Sequence, residues 1–290
     1  MNFKTLINNT IKNYTYEKEY IDLIIKNIRT EIKNYILTNN IKSLVVGVSG
    51  GLDSAVISAL CQEKYTGVPL ITVSIPMNST EEHNERAKWV GETFGTTFME
   101  FKEFESKKTY NKIQKLLNET DKISIFDEKN DKLLLGNIKA RLRMITLYDL
   151  ARKNNGIVLS TDNYSEYFMG FWTICGDVGD YAPIQQIYKG LELPQIAYAL
   201  NIREDIIIQK PSDGLKVTKE NTDEKQLGAN YIEVDTIMIA YLEDKDFYKK
   251  IKLSKKESEK IESVIKRYET SHFKRNGTII LNRDDILNPF

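Results

Sequence analysis

The stretch Ser49-Gly50-Gly51-Leu52-Asp53-Ser54 decides the fold of this chain. It follows the short apolar run Leu44 to Val48, which is rich in valine, as a buried strand is. It precedes the run Ala55 to Leu60, which contains helix formers and no helix breaker. The sequence therefore predicts a strand, a turn of small residues and the start of a helix.

This turn is suited to binding an anion. A helix N-terminus carries unpaired N–H groups and a partial positive charge, and Gly50 and Gly51 let a phosphate approach the backbone closely. Ser49 and Ser54 add hydroxyl donors. Asp53 would repel a phosphate unless it binds Mg²⁺, which takes carboxylate and phosphate oxygens together. The alternative is an ordinary strand–turn–helix in which Asp53 caps the helix.

The composition narrows the class of protein. The 290 residues include 41 basic and 41 acidic side chains, so the net charge gives no argument for a nucleic-acid or membrane partner. No apolar stretch is long enough to span a bilayer, and the N-terminus lacks the apolar core of a signal peptide. The two cysteines do not form a disulfide framework, which predicts a reduced, cytoplasmic setting.

Strands and helices alternate on both sides of the turn. Further strands are expected over residues 70–75, 97–101 and 157–160, and helices from Thr80 and over 133–153. This alternation predicts an α/β fold, a doubly wound parallel sheet with helices on both faces. Ligands of such sheets lie at the carboxyl ends of the strands, where the turn and Thr161 both fall.

The remaining elements are expected to be additions to that core. An amphipathic helix over 16–38 offers an apolar stripe that packs on the sheet or on a second subunit. Residues 102–132 are polar and weakly periodic, which favours a partly helical flap. We expect one domain over 1–290, with an N-terminal helix (16–38), an α/β core (43–210) and a helical C-terminal part and tail (211–290). Within these we expect a glycine- and aromatic-rich loop over 164–183, a helix over 189–200, a short strand over 206–208, and helices over 231–242 and 256–268.

The turn resembles the PP-loop, SGGxDS, of the N-type ATP pyrophosphatases, and it lacks the Gly-Lys-Ser/Thr ending of a Walker A loop. Further blocks resemble the ammonia-dependent NAD synthetases, in the order and nearly the spacing of that family. They are residues 136–144, 160–171, 176–184 with Tyr188-Lys189, 211–215 with 222–228, and 273–275. The resemblance covers most of residues 44–275.

The resemblance implies an adenine-nucleotide alpha-hydrolase-like, Rossmann-like core and a two-step reaction. ATP reacts with the carboxylate of nicotinic acid adenine dinucleotide (deamido-NAD), pyrophosphate leaves, and ammonia converts the acyl-adenylate to NAD and AMP. Mg²⁺ is the implied cofactor. Members of the family are dimers with the dinucleotide site at the interface, so a homodimer is expected.

The resemblance also implies roles for individual residues. Asp53 and Lys189 are the implied catalytic residues, and Asp53 and Glu166 the implied Mg²⁺ ligands. ATP contacts are implied for Gly47, Val48, Ser49, Gly50, Gly51, Leu52, Asp53, Ser54, Thr161, Lys189 and Ser212. Contacts to deamido-NAD are implied for Arg141, Asp180, Phe273 and Lys274, with the tail folding over the site. Phe168, Phe171 and Trp172 either line the nicotinyl pocket or belong to the core.

The chain departs from the family pattern at three places. Ile174 replaces a residue that is usually basic, Val178 lies in a glycine loop one residue shorter, and Ser74 replaces an arginine. These departures leave open a preference for nicotinic acid mononucleotide.

Two rivals also stay open: another PP-loop ATP pyrophosphatase, and a nucleotide-binding sensor without turnover. The neutral charge and the lack of CxxC pairs disfavour a tRNA enzyme, and Asp53, Glu166 and Lys189 disfavour a sensor.

Overall fold

The computed structural model describes residues 1–77, 79–117, 131–211, 222–278 and 280–283. At its centre is a four-stranded parallel sheet of order β3-β2-β1-β4. Its strands are β1 (Leu44–Gly47), β2 (Leu70–Ser74), β3 (Thr97–Glu100) and β4 (Ile157–Val158). The predicted parallel sheet is confirmed.

The helices of the N-terminal half surround and connect these strands. They are α1 (Phe3–Asn13), α2 (Lys18–Thr38), α3 (Leu52–Leu60), α4 (Glu63–Thr66), α5 (Glu81–Phe94), α6 (Glu103–Leu117) and α7 (Asp131–Lys153). Those that follow β4 are α8 (Tyr164–Met169), α9 (Leu193–Ala199), α10 (Glu204–Ile207), α11 (Asp223–Leu227), α12 (Tyr231–Glu243), α13 (Lys255–Thr270) and α14 (His272–Arg275), with a 3₁₀ turn at Phe247–Lys250. None of the helices within the described ranges is long and apolar enough to cross a membrane.

The sheet separates two apolar cores. Along β1, Leu44 and Val46 face a core built with α2, α3, α5 and α9, whereas Val45 faces a core built with α6 and α7. Successive side chains of a strand point to opposite faces, so a strand buried on both sides is apolar throughout. The doubly wound arrangement follows from this pattern and is confirmed.

A third core supports the C-terminal part of the chain. It joins α1, α8, α12 and α13, with Phe3, Phe168 and Ile237 among its buried members. Helix α1, which the sequence analysis did not predict, is capped by Asn2, whose side chain accepts a hydrogen bond from Thr5 N. This core places α12 directly behind α8, which starts at the carboxyl end of the sheet.

The apolar stripe of α2 packs against other helices of the same chain. Ile21, Ile25, Ile32 and Ile36 are buried in the core that includes α3 and α9. The stripe was predicted to pack on the sheet or on a second subunit, and it packs within its own chain. The stripe therefore gives no support to a homodimer.

Some predicted boundaries were wrong. Residues 206–208 do not form a strand, because Ile206 and Ile207 belong to the single helical turn α10, with Glu204 and Asp205 favouring its N-terminus. An apolar run of three residues carries no periodicity that separates helix from strand. The helix expected over 189–200 is shortened to α9, which begins near Pro194. The loop expected over 164–183 opens with α8, and of the expected flap, 103–117 is helical while 118–130 lies outside the described residues.

Candidate active site

The predicted phosphate loop connects β1 to α3 at the carboxyl end of the sheet. Gly50 adopts a left-handed conformation with φ of +78°, and a Cβ there would lie 2.4 Å from the carbonyl oxygen of His83. Only glycine fits this position. The carbonyl of Gly50 accepts a hydrogen bond of 2.9 Å from Gln209 Nε2, which fixes the orientation of the turn.

The two serines of the loop have an internal role in this structure. Ser54 is buried; its hydroxyl accepts from Ser49 N at 3.3 Å and donates to the carbonyl of Gly51 at 3.1 Å. The Ser49 hydroxyl accepts from Gly51 N at 3.2 Å. These bonds hold the turn in shape.

Lys189 is the centre of a cluster of charges beside the loop. Its ammonium lies 2.7 Å from Glu166 Oε1, 3.0 Å from Asp53 Oδ2 and 3.8 Å from Asp223 Oδ2. The Lys189 side chain is only 7% exposed. The structure thus brings together the two predicted catalytic residues and the two predicted metal ligands, and it adds a third carboxylate.

Asn163 bonds to both predicted metal ligands, Asp53 and Glu166. It caps α8, where its Oδ1 accepts from Glu166 N at 3.0 Å, and its Nδ2 donates to Asp53 Oδ1 at 2.7 Å. Asn163 is fully buried. One amide side chain therefore links the first turn of α3 to the first turn of α8.

The charges of the cluster are coupled. Burial raises the pKa of Glu166 to about 8, against the opposing effect of the Lys189 ammonium. Burial also disfavours the charged form of Lys189, but the carboxylates of Asp53 and Glu166 outweigh that effect and raise the pKa of Lys189 well above its ordinary value. Lys189 therefore stays cationic at neutral pH.

A cavity of about 650 Å³ opens over the cluster. This volume is within the range of small-molecule sites. Its lining includes most of the predicted ATP contacts: Gly47, Val48, Ser49, Gly51, Leu52, Asp53, Thr161 and Lys189. Phe171 and Trp172 also line it, whereas Phe168 is buried in the C-terminal core. Ser212 lies outside the described residues.

The residues predicted to contact deamido-NAD are not among those that line this cavity, although Lys274 contacts Trp172, which does. Asp180 is engaged within the chain, because its Oδ2 accepts from Val158 N at 2.9 Å and its Oδ1 from the Tyr148 hydroxyl at 3.1 Å. Lys274 donates to the carbonyls of Gly170 and Trp172 at 2.8 and 2.7 Å.

Arg141 and Phe273 are the more accessible members of this set. Phe273 is 56% exposed. Arg141 is also exposed, and its Nε donates to the carbonyl of Ile174 at 3.2 Å.

The structure shows the surroundings of two positions at which the chain departs from the family pattern, Ile174 and Ser74. Ile174 is exposed and follows the aromatic pair that lines the cavity, with Arg141 beside it. Ser74 is buried at the end of β2 and lines the cavity together with Arg143, whose Nε donates to the carbonyl of Ile75 at 3.3 Å. A guanidinium thus lies near the place where the family arginine is missing.

Several site residues were not identified from the sequence. Asn163, Asp223, Gln209 and Tyr231 all contact the cluster or the loop. Asn163 and Asp223 lie inside blocks that carry the resemblance, which was the available signal. No local sequence pattern pointed to Gln209 or Tyr231, because their contacts join segments that are far apart in the chain.

The fold and the cavity define an α/β protein that binds nucleotide phosphates. A family model described as NAD synthase matches residues 24–278. The NH(3)-dependent NAD(+) synthetase of Finegoldia magna is 33% identical over 209 residues, which are 72% of this chain and 80% of that protein. The NH(3)-dependent NAD(+) synthetase of Pyrococcus furiosus is 32% identical over 267 residues, 89% of this chain and 95% of that protein.

A solved structure shows the same similarity. The NMN synthetase from Francisella tularensis aligns with a TM-score of 0.72 at 26% identity, over 93% of this chain and 100% of that chain. This chain belongs to the NAD synthase family. The predicted family, fold class and class of enzyme are confirmed by these matches.

Proposed function

We propose that this protein amidates nicotinic acid adenine dinucleotide with ammonia to make NAD, at the cost of ATP cleavage to AMP and pyrophosphate. The observation that carries the proposal is the convergence of Asp53, Glu166 and Lys189 on one cavity beside the phosphate loop. Family membership supplies the reaction, since relatives at about one-third identity are NH(3)-dependent NAD(+) synthetases. A cytoplasmic setting remains a prediction.

In the first step, a carboxylate oxygen of the acid attacks the α-phosphorus of ATP. The bond from this phosphorus to the bridging oxygen breaks, and pyrophosphate leaves with that oxygen. The N–H groups at the start of α3 and the ammonium of Lys189 bind the polyphosphate and balance the charge of the departing pyrophosphate. The protein needs to position the reactants and supply charge, and no covalent intermediate with a side chain is required.

In the second step, the nitrogen of ammonia attacks the acyl carbon of the adenylate. The carbon–oxygen bond breaks, AMP leaves with one oxygen of the original carboxylate, and the nitrogen releases one proton to solvent. The cavity walls formed by Phe171 and Trp172 shield the adenylate from water.

The donor set near the loop fits Mg²⁺. Asp53 and Glu166 offer hard oxygen ligands beside a phosphate loop, and Mg²⁺ uses one or two carboxylates together with substrate phosphates and water. Within the described residues there is no group of three or more acidic, histidine or cysteine side chains arranged to enclose a metal. Bound Mg²⁺ would neutralise charge on the ATP phosphates.

We propose a homodimer that completes the dinucleotide site. On α7, Arg141, Ile145 and Tyr148 follow each other at helical spacing on one face, and Ile145 and Tyr148 are 66% and 41% exposed. Exposed Ile174 lies beside Arg141 and extends this apolar surface. Because Arg141 is not among the residues that line the ATP cavity, a second subunit on this surface would enclose it.

Nicotinic acid mononucleotide is a second candidate substrate. The observation that favours it is Ile174, which cannot pair with a phosphate or carboxylate. A protein of similar fold is an NMN synthetase. The retained Arg141, Asp180 and Lys274 favour the dinucleotide.

The test offers each acid in turn with ATP, Mg²⁺ and ammonia, and quantifies the amide, AMP and pyrophosphate. NAD formed in equal amounts with AMP supports the proposal. Nicotinamide mononucleotide as the preferred product would establish the second candidate. ATP binding without either amide would contradict both candidates and favour a sensor or another PP-loop ATP pyrophosphatase.

A further inference from the structure

Helix α12 reaches the active site from the C-terminal part of the chain. Tyr231 and Asp235 lie four residues apart in it and therefore share one face. Both side chains are buried, and Asp235 has no exposed surface. They contact two separate segments, one carrying Glu166 and the other carrying Lys189.

Asp235 links these two segments by hydrogen bonds to Ser165 and Gly190. Its Oδ1 accepts from the Ser165 hydroxyl at 2.5 Å, and the same hydroxyl accepts from Lys189 N at 2.9 Å. Its Oδ2 accepts from Gly190 N at 2.8 Å. Ser165 directly precedes Glu166 and Gly190 directly follows Lys189, so one carboxylate links the residues that neighbour Glu166 and Lys189 in the chain.

Gly190 allows this close contact. A Cβ at Gly190 would lie 2.5 Å from the backbone nitrogen of Ile232 and 2.8 Å from Asp235 Oδ2. The segment that carries Lys189 is thus pressed against the first turn of α12, with no room for a side chain between them.

Tyr231 contacts the charged side chains of the cluster. Its hydroxyl lies 2.9 Å from Asp223 Oδ2 and 3.4 Å from Glu166 Oε1. The ammonium of Lys189 lies 4.5 Å from the centroid of the Tyr231 ring, within the range of a cation–π contact. One turn of α12 therefore contacts both the backbone and the charged ends of the cluster.

We propose that Tyr231 and Asp235 are positioning residues that set the spacing between Lys189 and Glu166 for the ATP-dependent step. The inference rests on the proposed function. Catalysis by orientation is sensitive to such spacing, since a displacement of about 1 Å costs on the order of a hundredfold in rate. If α12 served only as core, its substitution would lower stability and leave the turnover of the folded enzyme unchanged.

Two small substitutions test this directly. Tyr231→Phe removes only the hydroxyl, and Asp235→Asn keeps the shape of the side chain. Their controls make the same chemical changes away from the cluster: Tyr241→Phe in the same helix, whose hydroxyl donates to Glu269 at 2.7 Å, and Asp244→Asn just after that helix, whose carboxylate accepts from Asp246 N at 3.1 Å.

The measurements are kcat, KM for ATP, Tm, and the Mg²⁺ concentration that half-saturates binding of α,β-methylene-ATP, an analogue that resists cleavage. We expect kcat of both test variants to fall roughly tenfold or more, with a higher Mg²⁺ requirement for analogue binding. The control variants should stay within about twofold of wild type in kcat, even if their Tm falls by as much as that of the test variants.

Test variants that match the controls in kcat and in Mg²⁺ requirement would overturn the proposal. If Asp235→Asn fails to fold, Tyr231→Phe decides. Should wild type bind the analogue with Mg²⁺ but make no amide, the proposed function fails, while the binding comparison still tests the positioning role.

Discussion

The ammonium of Lys189 lies 3.0 Å from the carboxylate of Asp53, although the two residues come from opposite ends of the α/β core. The same ammonium lies 2.7 Å from Glu166. A cation of the protein therefore already stands between the two carboxylates proposed to bind Mg²⁺. Because buried charges are stable only when they are paired, this arrangement makes stability, metal binding and catalysis interdependent.

Asp53→Asn should abolish adenylation and keep the fold. Asparagine can retain the contact with Asn163 and has no charge to offer a metal or Lys189. We expect pyrophosphate release to fall at least a hundredfold, on the order of the loss of a transition-state charge interaction, with native circular dichroism. Asp205→Asn, which removes a carboxylate paired with Arg86 and Arg203, is the control. Wild-type pyrophosphate release by Asp53→Asn at ordinary Mg²⁺ would refute the metal-ligand assignment.

Lys189→Met should convert the cluster into a site that depends on metal for stability. Removing one partner of a buried pair typically costs about 3–5 kcal/mol, because the remaining charges are uncompensated. Mg²⁺ should then raise the Tm of Lys189→Met more than that of wild type. Lys260→Met breaks a pair with Glu233 outside the site and should show no such gain. Equal Mg²⁺ effects in all three proteins would contradict the proposed metal site.

Ile145→Glu should dissociate the proposed homodimer. The side chain is 66% exposed on α7, and a buried charge at an interface is strongly unfavourable. We expect sedimentation to show a wild-type dimer at micromolar concentration and a monomer for the variant, with loss of activity. Leu37→Glu, at a residue 69% exposed on α2, should leave the dimer intact. A wild-type monomer with full activity would rule out the interface.

Ile174→Lys should change the discrimination between the two acids. The new ammonium would lie beside Arg141 and add a charge-assisted contact worth about 1.5–3 kcal/mol, roughly a ten- to hundredfold gain in kcat/KM. The gain should favour the dinucleotide over the mononucleotide. Ile208→Lys, another exposed isoleucine, controls for the added charge. Unchanged specificity constants for both acids would mean that the departure at this position has no functional effect.

Asp235→Asn should also change the pH dependence of stability. Burial raises the pKa of Asp235 from its ordinary value of 3.8 to about 7, against the lowering effect of hydrogen bonds from Ser165 and Gly190, while nearby Glu192 raises it further. Between about pH 4 and 7 the folded state binds a proton that the unfolded state has released, so this group's contribution to stability falls as pH rises.

Asparagine does not titrate and removes that loss. The Tm of Asp235→Asn relative to wild type should therefore increase from about pH 4 to about pH 7.5. A difference in Tm that is constant across this range would show that Asp235 does not titrate in the folded state.

Much of the site was predictable because its chemistry is encoded locally. The PP-loop and the blocks around Glu166 and Lys189 are contiguous motifs, and parallel strands bring their carboxyl ends to one edge. The structure places these residues in one cavity, as expected. The contacts of Tyr231 and Asp235 depend instead on how α12 packs behind α8, which no local pattern encodes.

Other features could not be assigned from local sequence. The isoleucines of α10 were assigned to a strand because three apolar residues show no period. The apolar stripe of α2 indicated burial and did not indicate whether the partner was the same chain or another. Asp180 illustrates a further limit: the family resemblance implied a contact to the dinucleotide, which stays a prediction, and could not indicate that its carboxylate also bonds to Val158 and Tyr148.

Attack of the substrate carboxylate on the α-phosphorus is tested most directly by following the carboxylate oxygen atoms into the products. Nicotinic acid adenine dinucleotide labelled with ¹⁸O in its carboxylate is incubated with the enzyme, ATP, Mg²⁺ and ammonia, and the products are analysed by mass spectrometry. We expect each NAD formed to be accompanied by one AMP carrying one ¹⁸O, with unlabelled pyrophosphate. Label in inorganic phosphate together with ADP, or AMP without label, would contradict attack at the α-phosphorus and with it the proposed function.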